Sequence, residues 1–425
     1  MVLALIIPLQ TIAQYVPPYT SFFVPIHKHT DAFKPFYSAQ IMTQYVDMQF
    51  IPSNFLIDTD ASLSWHDCIV QWNMYPGSCP DGTLCTSPVS CDEYQCTEAR
   101  TSYSYKSVYC PRVRNTTSPD GYCTCPVNVM DPIAEPYCNQ PLLNYDNFFV
   151  NTSNGKNPIP GFYAAFSNAA CAPSSWFESF PASVTGVIAL SSSPYAFPVA
   201  LNQQPLNRTF SLCFPSTTSA SGIMFYGNGP YYLLPHSSVD VKSLLSYTPL
   251  LNQPDSFGYF IRVNSILIKT RSIEVPGDAT TKLSTTEPYT TLRTDIYNPV
   301  VRRFSMVTKR LTPANAIAPF GLCFNTTSTN GTKASLKVPD IDLNLQGGKK
   351  WTISTANSMK QITEDVACLA FVDGGATSKH AIVIGSYQFE DNFLLFDLEN
   401  SSFGFSSSLL RKQTSCANFN FTMVG

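Results

Sequence analysis

Residues Asn54 to Cys68 read NFLIDTDASLSWHDC, an apolar strand running into Asp58-Thr59-Asp60-Ala61-Ser62. A carboxylate presented in a tight turn at the end of such a strand is either an ordinary turn acid or half of a two-acid site. There, one carboxylate from each half of the chain shares a proton. The ionised partner activates water while the protonated one donates a hydrogen bond to a scissile carbonyl. Each acid is expected in Asp-Thr/Ser-Gly, where backbone and hydroxyl donors hold it and glycine lets the two turns approach back to back. Asp60 stands in the glycine's place, bringing a like charge beside Asp58 and a side chain where backbone should pack. The matching stretch of the second half is Leu283-Ser284-Thr285-Thr286. Ser284 can neither share a proton with Asp58 nor polarise a water. Glu287, the nearest acid, is displaced by three residues and precedes Pro288. A Tyr-x-Gly flap is not found either: YSYKSVYC has the tyrosines without the glycine. Three requirements of the carboxylate-pair chemistry fail, so Asp58 and Ser284 read as a degenerate dyad with no catalytic residue.

The elements that must position these turns are strands. The chain has 425 residues, which suits two domains of about 200 residues each. Hydrophobic residues make up 44% and aromatic residues 13%, enough for large cores. Short apolar or alternating runs broken by Pro, Gly, Asn and Ser dominate: IMTQYVDMQF, NFLIDT, GIMFYG, YFIRVNSILI, AIVIG and NFLLFDL. This is an all-β pattern. The spacing of Ile296, Val300 and Phe304 predicts a helix over Thr294 to Arg310 with basic residues on its other face. A second, short helix is expected over Phe197 to Leu201. GNGPYYLLP, Gly227 to Pro235, reads as the connection between two halves.

Charge and cysteine usage narrow the setting. Only 13% of residues are charged and the net charge is -3, which offers no basic face for nucleic acid. No apolar run of 18 or more residues follows the N-terminus, so no membrane span is expected. Fourteen cysteines, nine of them between Cys68 and Cys138, point to disulfides in an oxidising compartment. The 68–138 stretch reads as an insertion stapled by disulfides, with too little apolar content for a core of its own. Cys123-x-Cys125 and His27-x-His29 lack the spacing of a structural zinc site, so no metal or other cofactor is expected. MVLALIIPLQTIAQ reads as a signal peptide within residues 1–19, although it lacks a basic n-region. Seven sequons follow, at Asn115, Asn151, Asn207, Asn325, Asn330, Asn400 and Asn420, consistent with a secreted glycoprotein.

Longer stretches resemble a known family. VTGVIALS…FPVALN, FSLCFPS, GIMFYGNGPYYLLP, LSYTPLL, KLSTTEPYTTLRTDIYNPVVRRF, APFGLCFNTT, VPDIDLNL, WTISTANSM, AIVIGSYQFEDNFLLFDLENSSFGFS and TSCANFNFT carry the likeness. Together they resemble the plant pepsin-like proteins without proteolytic activity, a group of dermal glycoproteins, xyloglucanase inhibitors, wheat-type xylanase inhibitors and basic seed globulins. The tail and the serine at 284 look most like the dermal-glycoprotein and xyloglucanase-inhibitor branch. The resemblance implies a bilobal pepsin-like fold with an N-terminal lobe over 20–230, a C-terminal lobe over 231–425 and a closed-down cleft. It also implies the disulfides Cys323–Cys368 and Cys213–Cys416.

The implied function is extracellular, in the apoplast or cell wall. A monomer would bind a microbial glycoside hydrolase one to one and block it, with xyloglucan-specific endo-β-1,4-glucanase the first candidate target and xylanase the second. Members of the family present basic loop side chains to the enzyme's paired carboxylates, which form charge-assisted hydrogen bonds in a desolvated groove. Carried over by position, the contact candidates are Lys333, Arg411, Lys412 and Gln413. Lys333 and Gln413 depart from arginine, the first keeping the charge without the bidentate fork and the second losing the charge. The plain alternative is that these are solvated loop residues. The competing functions are a non-inhibitory binding protein for a peptide or cell-wall ligand, a storage protein and a residual aspartic endopeptidase.

Overall fold

The computed structural model describes residues 19–422 apart from 32–33, 45–49, 71–83, 104–109, 119–120, 134–137, 202–205, 234–237, 278 and 328–330. The signal-peptide stretch, most of the flap search region and the sequon at Asn330 lie outside the described residues. The alternating runs form the strands their period requires. Ser21–Asp31, Lys34–Gln44 and Phe50–Asp58 make an antiparallel meander. It belongs to a 14-stranded sheet that also takes Ser246–Pro249, Phe393–Asp397 and Ser402–Phe405 from the second half. The join is the antiparallel pairing of Thr209–Cys213 with Phe393–Asp397. The sheet therefore runs across the boundary expected near residue 230.

Each half repeats one arrangement around its site turn. In the first, Phe50–Asp58 runs parallel to Val184–Ala189, which pairs antiparallel with Trp65–Asp67, itself parallel to Pro158–Ala172. In the second, Thr281–Leu283 runs parallel to Ile382–Ile384, which pairs antiparallel with Thr290–Leu292, itself parallel to Phe371–Asp373. Buried strands such as Ile382–Ile384 are apolar throughout because neighbours cover both faces. The expected helix spans Thr294–Val307 and buries Ile296, Tyr297, Val300 and Phe304. Phe197–Ala200 forms the expected short one.

Six disulfides are described: Cys68–Cys171, Cys91–Cys123, Cys96–Cys125, Cys110–Cys138, Cys213–Cys416 and Cys323–Cys368. Cys85 is disulfide-bonded as well. The Cys-rich stretch is not stapled only to itself, since Cys68 reaches out of it to Cys171. Its described apolar residues share a core with the first lobe. Val89, Cys96, Ala99, Cys125, Val127 and Val129 pack into one cluster with Leu56, Trp65, Phe177 and Val187 of the first lobe.

Candidate functional site

Asp58 and Ser284 line one cleft, with Asp60, Lys282, Thr286, Glu287 and His380. The two turns that carry them are tied back to back by hydroxyl groups. The backbone N–H of Thr59 donates to Thr285 Oγ1 at 3.1 Å, and Thr285 Oγ1 donates to the Ile57 carbonyl at 2.7 Å. In the other direction, Thr59 Oγ1 donates to the Leu283 carbonyl at 3.4 Å. Beneath the second turn Gly385 has no room for a side chain, because a Cβ would lie 2.4 Å from the carbonyl carbon of Tyr289. The fold thus holds the geometry of a two-acid site while one of its two positions is a hydroxyl. The Ser284 hydroxyl accepts the Glu287 backbone N–H at 3.1 Å and is 2% exposed.

The expected conflict at Asp60 is resolved by the opposite lobe. The Asp60 side chain does not press into backbone. It points across to Lys282, 2.7 Å away, and accepts a hydrogen bond from Ser256 Oγ at 3.0 Å. Gly258 makes the room, since a Cβ there would stand 2.4 Å from Asp60 Oδ1. Burial would push the Asp60 carboxyl up, but the Lys282 ammonium and the Ser256 hydroxyl outweigh it and hold the group below the usual carboxylate range. The charge beside Asp58 is therefore fixed and paired. Asp58 is 8% exposed and accepts the Asp60 backbone N–H at 2.8 Å. Burial first, and the Asp60 charge second, push its carboxyl up to about 6. Burial, with Lys282 and Lys379, holds the His380 imidazole down at about 4. Lys282 was missed by the sequence reading; its place two residues before Ser284, at the end of strand Thr281–Leu283, was the one signal for it.

The cleft encloses about 160 Å³, below the roughly 300–1,000 Å³ of ordinary ligand pockets. Leu63 and Trp65 line it from the first lobe, and Val129 to Pro132 of the Cys-rich stretch from the side. That stretch is anchored where Val129–Met130 pairs with Cys138–Asn139, and Cys138 is bonded to Cys110. The lining thus combines the Asp58 carboxyl, those of Asp131 and Glu287, the Ser284 hydroxyl and the Asp60–Lys282 ion pair.

The four contact candidates do not converge. Lys333, expected on an exposed loop, is turned inward. Its backbone N–H donates to Gln361 Oε1 at 2.6 Å and its ammonium to the Ala356 carbonyl at 2.7 Å and to the Tyr387 hydroxyl. Burial brings that ammonium down to about 8. It lines a cavity of about 330 Å³ with Lys28, Lys360, Glu390 and Asp391. Arg411 and Lys412 instead flank a separate pocket beside Lys350, and Arg411 pairs with Asp340 at 2.6 Å. Gln413 is exposed and ends a short 3-10 turn with φ 58°. The basic face of the Thr294–Val307 helix lines a groove of about 1440 Å³ that gathers Arg271, Arg293, Arg302 and Arg303. The scattered spacing of those arginines concealed it from sequence reading. Of the described sequon residues, Asn115, Asn400 and Asn420 are exposed, while Asn151, Asn207 and Asn325 are half-buried.

Comparison with known proteins places this geometry. Residues 41–228 match the family model described as Xylanase inhibitor N-terminal, and residues 258–407 match Xylanase inhibitor C-terminal. The chain is 38% identical over 304 residues, 66% of this chain and 69% of the other, to Probable aspartic proteinase GIP2 of Nicotiana benthamiana. It is 35% identical over 353 residues, 79% of this chain and 82% of the other, to Chitinase CLP of Oryza sativa subsp. japonica. A crystal structure titled edgp superposes with a TM-score of 0.79 at 30% identity, covering 96% of this chain and 100% of that one. With both halves matched in chain order on a shared pepsin-like fold, the chain belongs to the xylanase-inhibitor family.

Proposed function

We propose that this is a secreted, proteolytically inactive pepsin-like protein that binds a microbial glycoside hydrolase of the plant cell wall and blocks it, as part of plant defence. Xyloglucan-specific endo-β-1,4-glucanase is the first target to test and xylanase the second. The observation that supports the reading is that Asp58 and Ser284 line one pocket of this family member, and the reading takes Ser284 to stand where a second carboxylate is required. A hydroxyl with an ordinary alkoxide pKa cannot take the proton that a carboxylate pair shares. Peptide hydrolysis therefore has no acid–base pair, and binding is the work left to the fold. Arg411 and Lys412 are the exposed cations this reading assigns to the hydrolase's carboxylates.

The inward turn of Lys333 favours a second reading, a binding protein that recognises an extracellular peptide or cell-wall fragment without inhibition. One titration separates the two. Purified protein is added to a fungal xyloglucan-specific endoglucanase and to a fungal xylanase, and residual activity is followed. Stoichiometric loss of activity supports inhibition. Full activity of both enzymes at micromolar excess refutes it for these targets and moves the case to the second reading. Casein turnover at acid pH that pepstatin suppresses would overturn the assignment of Ser284.

A further inference from the structure

The outer face of the large sheet carries an aromatic cluster that the proposed function leaves unused. Phe50, Phe162 and Phe166 are 36%, 53% and 76% exposed. Phe50 packs edge-on against Phe162 at 4.7 Å and Phe149 at 4.8 Å, and Phe149 meets Phe162 at 5.5 Å. Phe50 and Phe162 thus present contiguous exposed rings over the buried Phe149, a surface open to an occupant. Strand register supplies one. Asn151 lies directly opposite Phe162 in the antiparallel pair Leu142–Ser153 with Pro158–Ala172, so their Cβ atoms are about 5 Å apart on one face. Phe149, two residues before Asn151, shares that face. The register breaks just after Asn151, at the step to Thr152. Asn151 begins the sequon Asn151-Thr152-Ser153, and its half-buried side chain has no hydrogen-bond partner among the described residues.

We infer that Asn151 is an N-glycosylation site whose first N-acetylglucosamine lies on the Phe162 ring, so that the Phe50–Phe149–Phe162 cluster is the platform for the protein's own glycan. In the linkage step Asn151 Nδ2 bonds to C1 of the sugar as the bond from C1 to a lipid diphosphate breaks. The diphosphate leaves with the electron pair, and Nδ2 loses one proton. The pyranose C–H groups then cover the ring's π face, replacing water over an apolar surface. A glycan rooted here also denies this sheet face to a second copy of the chain or to a polysaccharide.

The inference rests on the secretory part of the proposed function, and the test keeps the two apart. The chain is secreted from plant cells, sequon peptides are analysed by mass spectrometry, and sugar protons are observed by NMR in wild type and Phe162→Ala. The expected result is an occupied Asn151 with an N-acetylglucosamine proton shifted upfield by the ring, returning to its free position in Phe162→Ala. An occupied Asn151 whose sugar protons ignore that substitution overturns the platform. An empty Asn151 beside occupied Asn400 or Asn420 overturns the site and leaves secretion standing. Empty sequons throughout on secreted chain overturn the inference and leave secretion standing, whereas failure to recover the chain from the medium overturns the secretory reading.

Discussion

Replacing Asp58 by Asn should stabilise this protein at neutral pH and leave it unchanged in acid. Asp58 is buried beside the fixed negative charge of Asp60, and its carboxyl titrates near 6 in place of 3.8. About two units at roughly 1.4 kcal/mol per unit amount to about 3 kcal/mol of penalty on the ionised folded form. Between the ordinary carboxylate range and about 6 the folded chain binds more protons here than the unfolded chain. This group's contribution to stability therefore falls as pH rises through that window, and the full penalty stands above it. Asparagine keeps an oxygen to accept the Asp60 N–H and carries no charge. Urea unfolding of wild type and Asp58→Asn at pH 7.5 and pH 3.5 measures the difference. A gain of about 3 kcal/mol at the higher pH, vanishing at the lower, is expected, with unchanged m-values. A gain or loss independent of pH would refute the argument that Asp58 is a buried, charge-opposed carboxyl.

Three further outcomes follow from the same geometry. Lys282→Ala should cost about 2 kcal/mol by leaving the Asp60 charge part-buried and unpaired by its ammonium; Asp60→Gly in that background should recover most of the loss in urea unfolding. Replacing Cys213 and Cys416 by Ser opens a link of 203 residues between strand Thr209–Cys213 and the C-terminal tail. Calorimetry should show a loss of about 5 kcal/mol on the chain-entropy scale. If a hydrolase is bound through the last loop, Arg411→Ala with Lys412→Ala should weaken binding at least tenfold by titration calorimetry, whereas Lys333→Met should change it less than twofold, because the Lys333 ammonium is already engaged by Ala356 and Tyr387.

The names of relatives point in different directions, one to a proteinase and one to a chitinase. Either activity by a paired-carboxylate route needs two acids facing a substrate. Here Asp58 and Ser284 line a pocket of about 160 Å³ with Asp131 and Glu287, and Asp60 is paired with Lys282. The shared fold is thus a poorer guide to activity than these few side chains.

Much of this was written in the order of residues. Short apolar runs such as NFLLFDL, buried throughout from Phe393 to Phe396, could satisfy their backbone and cover both faces only as interior strands. The 3.6-residue spacing of Ile296, Val300 and Phe304 could bury one face only as the helix Thr294–Val307. The sequence also paired Asp58 with Ser284 as an expectation, and the structure places both on one pocket. What side chains do across long separations was decided by the tertiary structure. Asp60 looked like an obstruction because its partners, Ser256, Gly258 and Lys282, lie about 200 residues away and meet it only when the lobes close. Lys333 looked like a free loop cation because a local sequence cannot show that Ala356 and Tyr387 offer its ammonium oxygen atoms inside the lobe. Asn151 and Phe162 are eleven residues apart in sequence and neighbours only through strand register. Local pattern sets which face a residue occupies, but pairing energy between distant segments sets what that face meets.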